Sequence, residues 1–279
     1  MADGIAVVQN GHRTWLKWHR GRKQAGDLPF TGERILEGLR LGASVEVDLV
    51  KHADGGFAVL HDFSLDRDTT GHGLVAETPA AVLRALYLRD PTGVPTPHRP
   101  MLLEDLCALL ADGAGFAPDG IVQLDLKEEA PGALGPREIA AFAAAVAPVA
   151  KYFILSGGSA ANVALLADAV PSLAVGYDPC HDDAIHRVLA DRNFDAFVEQ
   201  ALAAFPRASM IYLEHRLVLF AADNGFDMVA AFHRANRTID AYTLNRTDPG
   251  TVGTARRLLD LKVDQITTDD PVGLEAALA

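Results

Sequence analysis

Eight short apolar segments recur along this chain, separated by longer stretches with helical spacing, and this alternation limits the fold more than any other feature. They read TWLKW, VEVDLV, GIVQLDL, YFIL, LAVGY, SMIYL, TIDAYT and DQIT, running from Thr14 to Thr267. Most intervals carry a helical pattern: ERILEGLRLG, REIAAFAAAVAPVA, AANVALLADAV, DDAIHRVLADR with DAFVEQALAAF, LVLFAADNG, TVGTARRLLDL and VGLEAALA. Parallel neighbours need a long crossover, which a helix supplies, so strand then helix, repeated, predicts a parallel α/β sheet. Eight units fit a closed (β/α)8 TIM barrel better than an open doubly wound sheet. The chain has 279 residues and shows no linker, so the expectation is a single domain over 1–279.

The interval between the second and third strands breaks the pattern. From roughly Lys51 to Pro100 it holds Gly55, Gly56, Gly71, Gly73 and PTGVPTPHRP, which reads as an insertion with a hairpin and not as another barrel unit. Composition bounds the rest. Hydrophobic residues make up 49% and charged ones 22%, enough to bury a large core. A formal charge of −12 argues against a broad basic surface, so no nucleic acid partner is expected, and an anionic ligand must be met locally. The cysteines are Cys107 and Cys180, too few for a disulfide framework or a thiolate metal site. The start MADGIAVVQN lacks a basic segment followed by an apolar one, and no apolar run approaches the roughly 18 residues of a membrane span. A cytoplasmic protein without stable membrane insertion is therefore expected; no feature sets an oligomeric state.

Glu46 and Asp48 in VEVDLV lie two apart on a strand and share a face, which in a barrel is the interior. Set about 6.6 Å apart by strand rise, they repel by roughly 2.5 kcal/mol at an effective dielectric of about 20. A proton, basic partners or a bound cation would relieve this. Asp125 and Lys127 in QLDLKEE share a face in the same way; the carboxylate can complete an oxygen-ligand site and the ammonium can neutralise a phosphate. His61 and Asp62 end the run GFAVLHD, where a histidine leaves rigid structure for a loop-lined mouth. AYTLN and TTDDP close two later strands, with helix capping by Asn245 or Asp270 as the structural explanation for either.

In order along the chain, His19-Arg20-Gly21, Glu46-Val47-Asp48, His61-Asp62, Asp125-Leu126-Lys127, Thr243-Leu244-Asn245 and Thr268-Asp269-Asp270-Pro271 resemble the glycerophosphodiester phosphodiesterase family, related to sphingomyelinase D. The segment LHDFSLDRDTTGHG also looks like that family's loop, and the resemblance covers about residues 15–278. It selects His19 over His12, which falls in the lead-in to the first strand. What it implies is a barrel enzyme that hydrolyses glycerophosphodiesters with His19 and His61 as acid and base. Glu46, Asp48 and Asp125 would hold one divalent cation, Mg or Ca, while Arg20, Lys127 and Tyr242 contact the small-molecule substrate. The resemblance further implies a route in which a neighbouring glycerol hydroxyl attacks first and gives a cyclic phosphate that water opens; the residues leave open whether that cyclic phosphate forms. The alternatives on the same barrel are a sphingomyelinase-D-like or sugar-phosphodiester activity, or a non-catalytic phosphodiester-binding protein. Three positions depart from the family pattern. Pro-Glu-Asn-Thr is reduced to Pro29-Phe30-Thr31, with Glu33 the acid at hand to hold Arg20; Asp125 stands for Glu; and Tyr242 stands for Trp.

Overall fold

The strand Ser44–Lys51 shows why these sequences make a barrel: Val45, Val47 and Leu49 on one face and Glu46 and Asp48 on the other are all buried, as a strand covered on both sides requires. The computed structural model describes residues 2–181 and 183–279. Its strands are β1 (Ala6–Gln9), β2 (His12–Trp18), β3 (Ser44–Lys51), β4 (Phe57–Val59), β5 (Ile121–Leu126), β6 (Phe153–Gly157), β7 (Ala174–Tyr177), β8 (Met210–Glu214), β9 (Thr238–Leu244) and β10 (Gln265–Thr268). The fold is a (β/α)8 barrel, and all eight predicted segments are its strands: β2, β3 and β5 to β10. The two remaining strands pair antiparallel, β1 on β2 and β4 on β3.

The chain divides into two compact units. The first comprises Met1–His19, Lys23–Ala25 and Val175–Ala279. Within it β2, β10, β9 and β8 run parallel in that order, with Thr268 beside Trp18 and Asp240 beside Tyr212. Its helix starts are set by side chains: Asp248 accepts from Thr251 N–H at 2.9 Å ahead of Pro249–Asp260, and Asp270 accepts from Gly273 N–H at 3.1 Å ahead of Pro271–Leu278. Both helices have proline in the first turn, where no N–H is needed. Asp270 is thus the cap expected of it, whereas the capping task near Asn245 falls to Asp248.

The second unit comprises Arg20–Arg22 and Gly26–Ala174. Here β3 pairs parallel with β5 and β5 with β6. The helix Gly32–Leu41 ends at Gly42, whose φ of 83° lets its N–H turn back to the carbonyls of Gly38 and Leu39. After the β3–β4 hairpin the insertion holds only short elements, Val75–Glu77 and Ala80–Leu83, tied by isolated bridges such as Ser64 to Leu74. It folds over a small core of Val50, Ala58, Leu60, Leu65, Val75, Leu83, Leu88 and Leu102. Truncating a leucine there to alanine would cost about 2–5 kcal/mol. The helix Leu103–Asp112 then completes the crossover to β5.

The pattern of apolar residues gave no sign of β1, the helix Leu103–Asp112 or the helix Met228–Arg234. β1 spans four residues and Met228–Arg234 seven, too few to display a period, and Leu103–Asp112 abuts the insertion, whose turn residues mask its start. Among the described residues no helix is long and apolar enough to cross a membrane.

Candidate active site

In the second unit the parallel register sets Asp48 of β3 beside Asp125 of β5, and Asp125 beside Ser156 of β6. Glu46, Asp48 and Asp125 each offer a carboxylate oxygen, and these lie within 4.8 Å of one another. Ser156 Oγ donates to Asp125 Oδ1 at 3.2 Å and accepts from Gln123 Nε2 at 2.7 Å, which fixes the Asp125 rotamer. Lys127 Nζ bridges Asp125 Oδ2 at 2.5 Å and Asp48 Oδ1 at 2.8 Å.

Arg20 completes the cluster from the loop after β2. Its backbone is left-handed, φ 56° and ψ 31°, an uncommon state for a side chain with a Cβ. That turn is held from both sides: Arg20 N–H donates to Glu46 Oε2 at 2.8 Å, and its carbonyl accepts from Phe30 N–H at 2.8 Å. The guanidinium Nε lies 3.3 Å from Asp48 Oδ2. Glu33 is exposed on the first turn of its helix, so the expectation that it holds Arg20 is corrected: Asp48 and Glu46 hold it. Strain of this kind persists only where surrounding bonds over-determine it, and it gathers at functional sites.

The electrostatics follow from burial and charge count. Burial first, then Asp48 and Asp125, raise the Glu46 carboxyl well above the usual carboxylate range, against the opposing pull of Lys127 and Arg20. For Lys127, burial would lower the pKa, but Asp125, Asp48 and Glu46 outweigh it and raise it, so the ammonium stays charged. Three carboxylates face two cations here. An all-oxygen donor set with surplus negative charge suits a hard divalent cation such as Mg or Ca, and one bound at Glu46, Asp48 and Asp125 would offset the repulsion that adds to burial in raising Glu46.

In the same unit His61 follows β4, and its Nδ1 lies 2.7 Å from Asp62 Oδ1. Arg67 donates to the same oxygen at 2.8 Å. A carboxylate on Nδ1 assigns the ring proton to that nitrogen and leaves Nε2 as the acceptor of the neutral ring.

The first unit carries the other predicted residues. His19 leaves the end of β2, and its Nδ1 lies 2.5 Å from Asp269 Oδ1 at the end of β10. One layer below, Lys17 Nζ pairs with Asp240 Oδ2 at 3.1 Å and lies 4.4 Å from the centre of the Tyr212 ring, while Thr267 Oγ1 donates to Asp240 Oδ1 at 2.7 Å. Tyr242 lines a cleft of about 590 Å3 with Cys180, Glu214, His215, Arg216 and Asn245. Desolvation pushes the Cys180 thiol up, so it is no thiolate nucleophile; its sulfur accepts from Glu214 N–H at 3.4 Å. His12 starts β2 and bonds the Val263 carbonyl at 3.0 Å through Nε2, as its place in the lead-in implies.

The fold therefore joins Arg20, Glu46, Asp48, Asp125 and Lys127 by direct contacts, and gives each histidine of interest a carboxylate on Nδ1. Sequence reasoning missed Lys17 with Asp240, and it missed Asp269 as the partner of His19. A lysine between Leu16 and Trp18 on a buried strand was the available signal for the first. Ser156 and Gln123 left none, since only the register brings them to Asp125.

No protein-family model matches the sequence, and no curated protein matches it. Solved structures do match in fold. A glycerophosphoryl diester phosphodiesterase from Parabacteroides distasonis is 17% identical with a TM-score of 0.66, over 97% of this chain and 88% of that one. A glycerophosphodiester phosphodiesterase from Thermotoga maritima is 19% identical with a TM-score of 0.64, over 95% of this chain and 97% of that one. A phosphodiesterase from Oleispira antarctica, solved in complex with the product sn-glycerol-3-phosphate, is 18% identical with a TM-score of 0.65, over 94% and 96%. At these identities the likeness establishes the shared barrel.

Proposed function

We propose that the chain is a metal-dependent glycerophosphodiester phosphodiesterase, which cleaves a glycerophosphodiester into glycerol phosphate and an alcohol. The observation that carries this reading is the cluster of Arg20, Glu46, Asp48, Asp125 and Lys127: two cations among three carboxylates, of which Glu46 and Asp48 are buried and Asp125 half-buried, on a barrel whose solved likenesses are phosphodiesterases. Barrel enzymes keep their chemistry at the C-terminal ends of the strands, and the position of Asp125 near the end of β5, Lys127 just past it and Arg20 in the turn after β2 supports such a site.

Glu46, Asp48 and Asp125 would hold one divalent cation, which supplies charge stabilisation to the phosphoryl oxygens when bound. Arg20 and Lys127 contribute positive charge to the same oxygens, and the guanidinium fork can take two of them at once. His19 and His61 divide the proton transfers. One removes the proton of the attacking hydroxyl as its oxygen bonds phosphorus; the other protonates the leaving alkoxide as its P–O bond breaks. Asp269 and Asp62 orient the two rings through Nδ1, so that Nε2 carries each transfer. Tyr242 forms part of the wall that contacts the alcohol.

Substrates of this kind arise when phospholipids lose both acyl chains, so the activity belongs to lipid turnover. The test is incubation of the purified protein with glycerophosphodiesters, lysophospholipids and sugar phosphodiesters, in the presence of Mg or Ca and after chelation. Release of glycerol phosphate that stops on chelation is the expected result. Cleavage of none of these diesters with either cation would overturn the reading.

A further inference from the structure

The cleft beside Tyr242 has a polar lining that the acid–base chemistry does not use. We propose that it receives the alcohol half of the substrate and is built for an uncharged polyol, such as glycerol, inositol or a sugar; this rests on the diesterase reading above. The cleft measures about 590 Å3 and lies between the ends of β8 and β9, within the first unit. In that unit β9 is followed by β10 and β2, whose ends carry Asp269 and His19. Two to three strand spacings, roughly 10–14 Å, separate the cleft from His19, so it would hold the distal end of a substituent on a phosphate near His19.

The charges favour a neutral ligand. The Glu214 carboxylate is already engaged by Arg216 Nε, so it offers no uncompensated anion for an ammonium group. Among the described lining residues Tyr242 is the single phenol or phenyl ring, and a quaternary ammonium is held best by several aromatic faces. The hydrogen-bonding groups alternate in kind. His215 Nδ1 donates to the Tyr242 carbonyl at 2.8 Å, which leaves Nε2 as an acceptor in the neutral ring. Asn245 presents both a donor and an acceptor, and the Thr243 hydroxyl can act as either. Each hydroxyl of a polyol also donates and accepts, so the sets match. His215, Thr243 and Asn245 line a second hollow of about 280 Å3 that extends to Thr251 and Thr254, whose wall also holds the opposite charges of Arg246 and Asp248.

The closing experiment needs no turnover. Saturation-transfer NMR on the full chain, with myo-inositol, glycerol, glucose and choline as probes, should give transfer to the polyols and none to choline. Asn245→Ala should weaken inositol binding about tenfold, the equivalent of about 1.4 kcal/mol. The same variant should lower the ratio of kcat/KM for glycerophosphoinositol over glycerophosphocholine to a similar extent. Asn245 is exposed, so this variant keeps the test readable even if His215→Ala, which also loses the bond to the Tyr242 carbonyl, is unstable. Choline bound as tightly as inositol, or inositol affinity unchanged in Asn245→Ala, would overturn the proposal. Polyol binding without cleavage of any diester would instead remove the diesterase reading and leave the cleft assignment standing.

Discussion

Two groups of buried or half-buried charges lie on or beside barrel strands, one in each unit, and they differ in how they are balanced. In the first unit Lys17 and Asp240 neutralise one another at 3.1 Å, Thr267 donates to the carboxylate, and the Tyr212 ring lies 4.4 Å from the ammonium. In the second, Glu46, Asp48 and Asp125 outnumber Arg20 and Lys127. A balanced pair with additional partners is a structural lock, because taking charges from water is repaid only by close, well-bonded counterparts. A surplus on one sign is tolerated only if a proton or an external cation completes it, and the Glu46 carboxyl, raised first by burial and then by Asp48 and Asp125, fits that demand.

The largest effect that would break the contrast is catalytic. His19→Ala and His61→Ala should each lower turnover by about 10² to 10⁴ while leaving the denaturation midpoint near its original value. Retained turnover in either purified variant removes that histidine from the chemistry. Variants of the balanced pair should behave in the opposite way. Asp240→Ala strands the Lys17 ammonium and should cost about 3–5 kcal/mol in urea denaturation, whereas Lys17→Met with Asp240→Leu should be close to neutral. A single variant that unfolds with the original protein would show that the pair is no lock.

The surplus cluster predicts a cation effect of intermediate size. At a cation concentration 100 times Kd, stability should rise by about 2.7 kcal/mol. Asp48→Asn should abolish this rise without destabilising the cation-free protein, since it brings charges there into balance; thermal melts with and without chelator distinguish the outcomes.

The smallest effect comes from a buried group with neither surplus nor ion pair. His52 is buried in the β3–β4 hairpin, its Nδ1 accepts from Asp54 N–H at 3.2 Å, and desolvation lowers its pKa. A lowered histidine pKa means that the unfolded chain takes up the proton first. The stability His52 contributes is therefore complete above the ordinary histidine range and is lost as pH falls through that range toward the lower folded value. His52→Gln should flatten this part of the stability profile between about pH 7 and 5. An unchanged slope would show that His52 titrates alike in both states.

Legibility varied with the range of the interaction. Glu46 with Asp48, and Asp125 with Lys127, were readable because alternate strand positions share a face, and both faces of β3 are buried, as expected of a strand covered on both sides. The Asp270 cap was equally local. The hold on Arg20 was not: the sequence offered Glu33, while the structure uses Glu46 and Asp48, residues brought to the turn after β2 from a different strand. Asp269 stood in a recognised segment, yet its bond to His19 joins residues 250 positions apart. Ser156 reaches Asp125 through register alone.

By itself the sequence determined the eight barrel strands, most of their helical crossovers, the irregular insertion after the second strand, and which side chains share a strand face. All of these follow from the two-residue period of a strand and the local chemistry of turns and caps, which neighbours in the chain impose. Only the tertiary structure decided how closely the three carboxylates approach one another, that Asp269 bonds His19, and that Lys17 is matched by Asp240 while Glu46 is left in surplus. Those outcomes depend on strand register and on how far charge is removed from water, and both are set by residues distant along the chain.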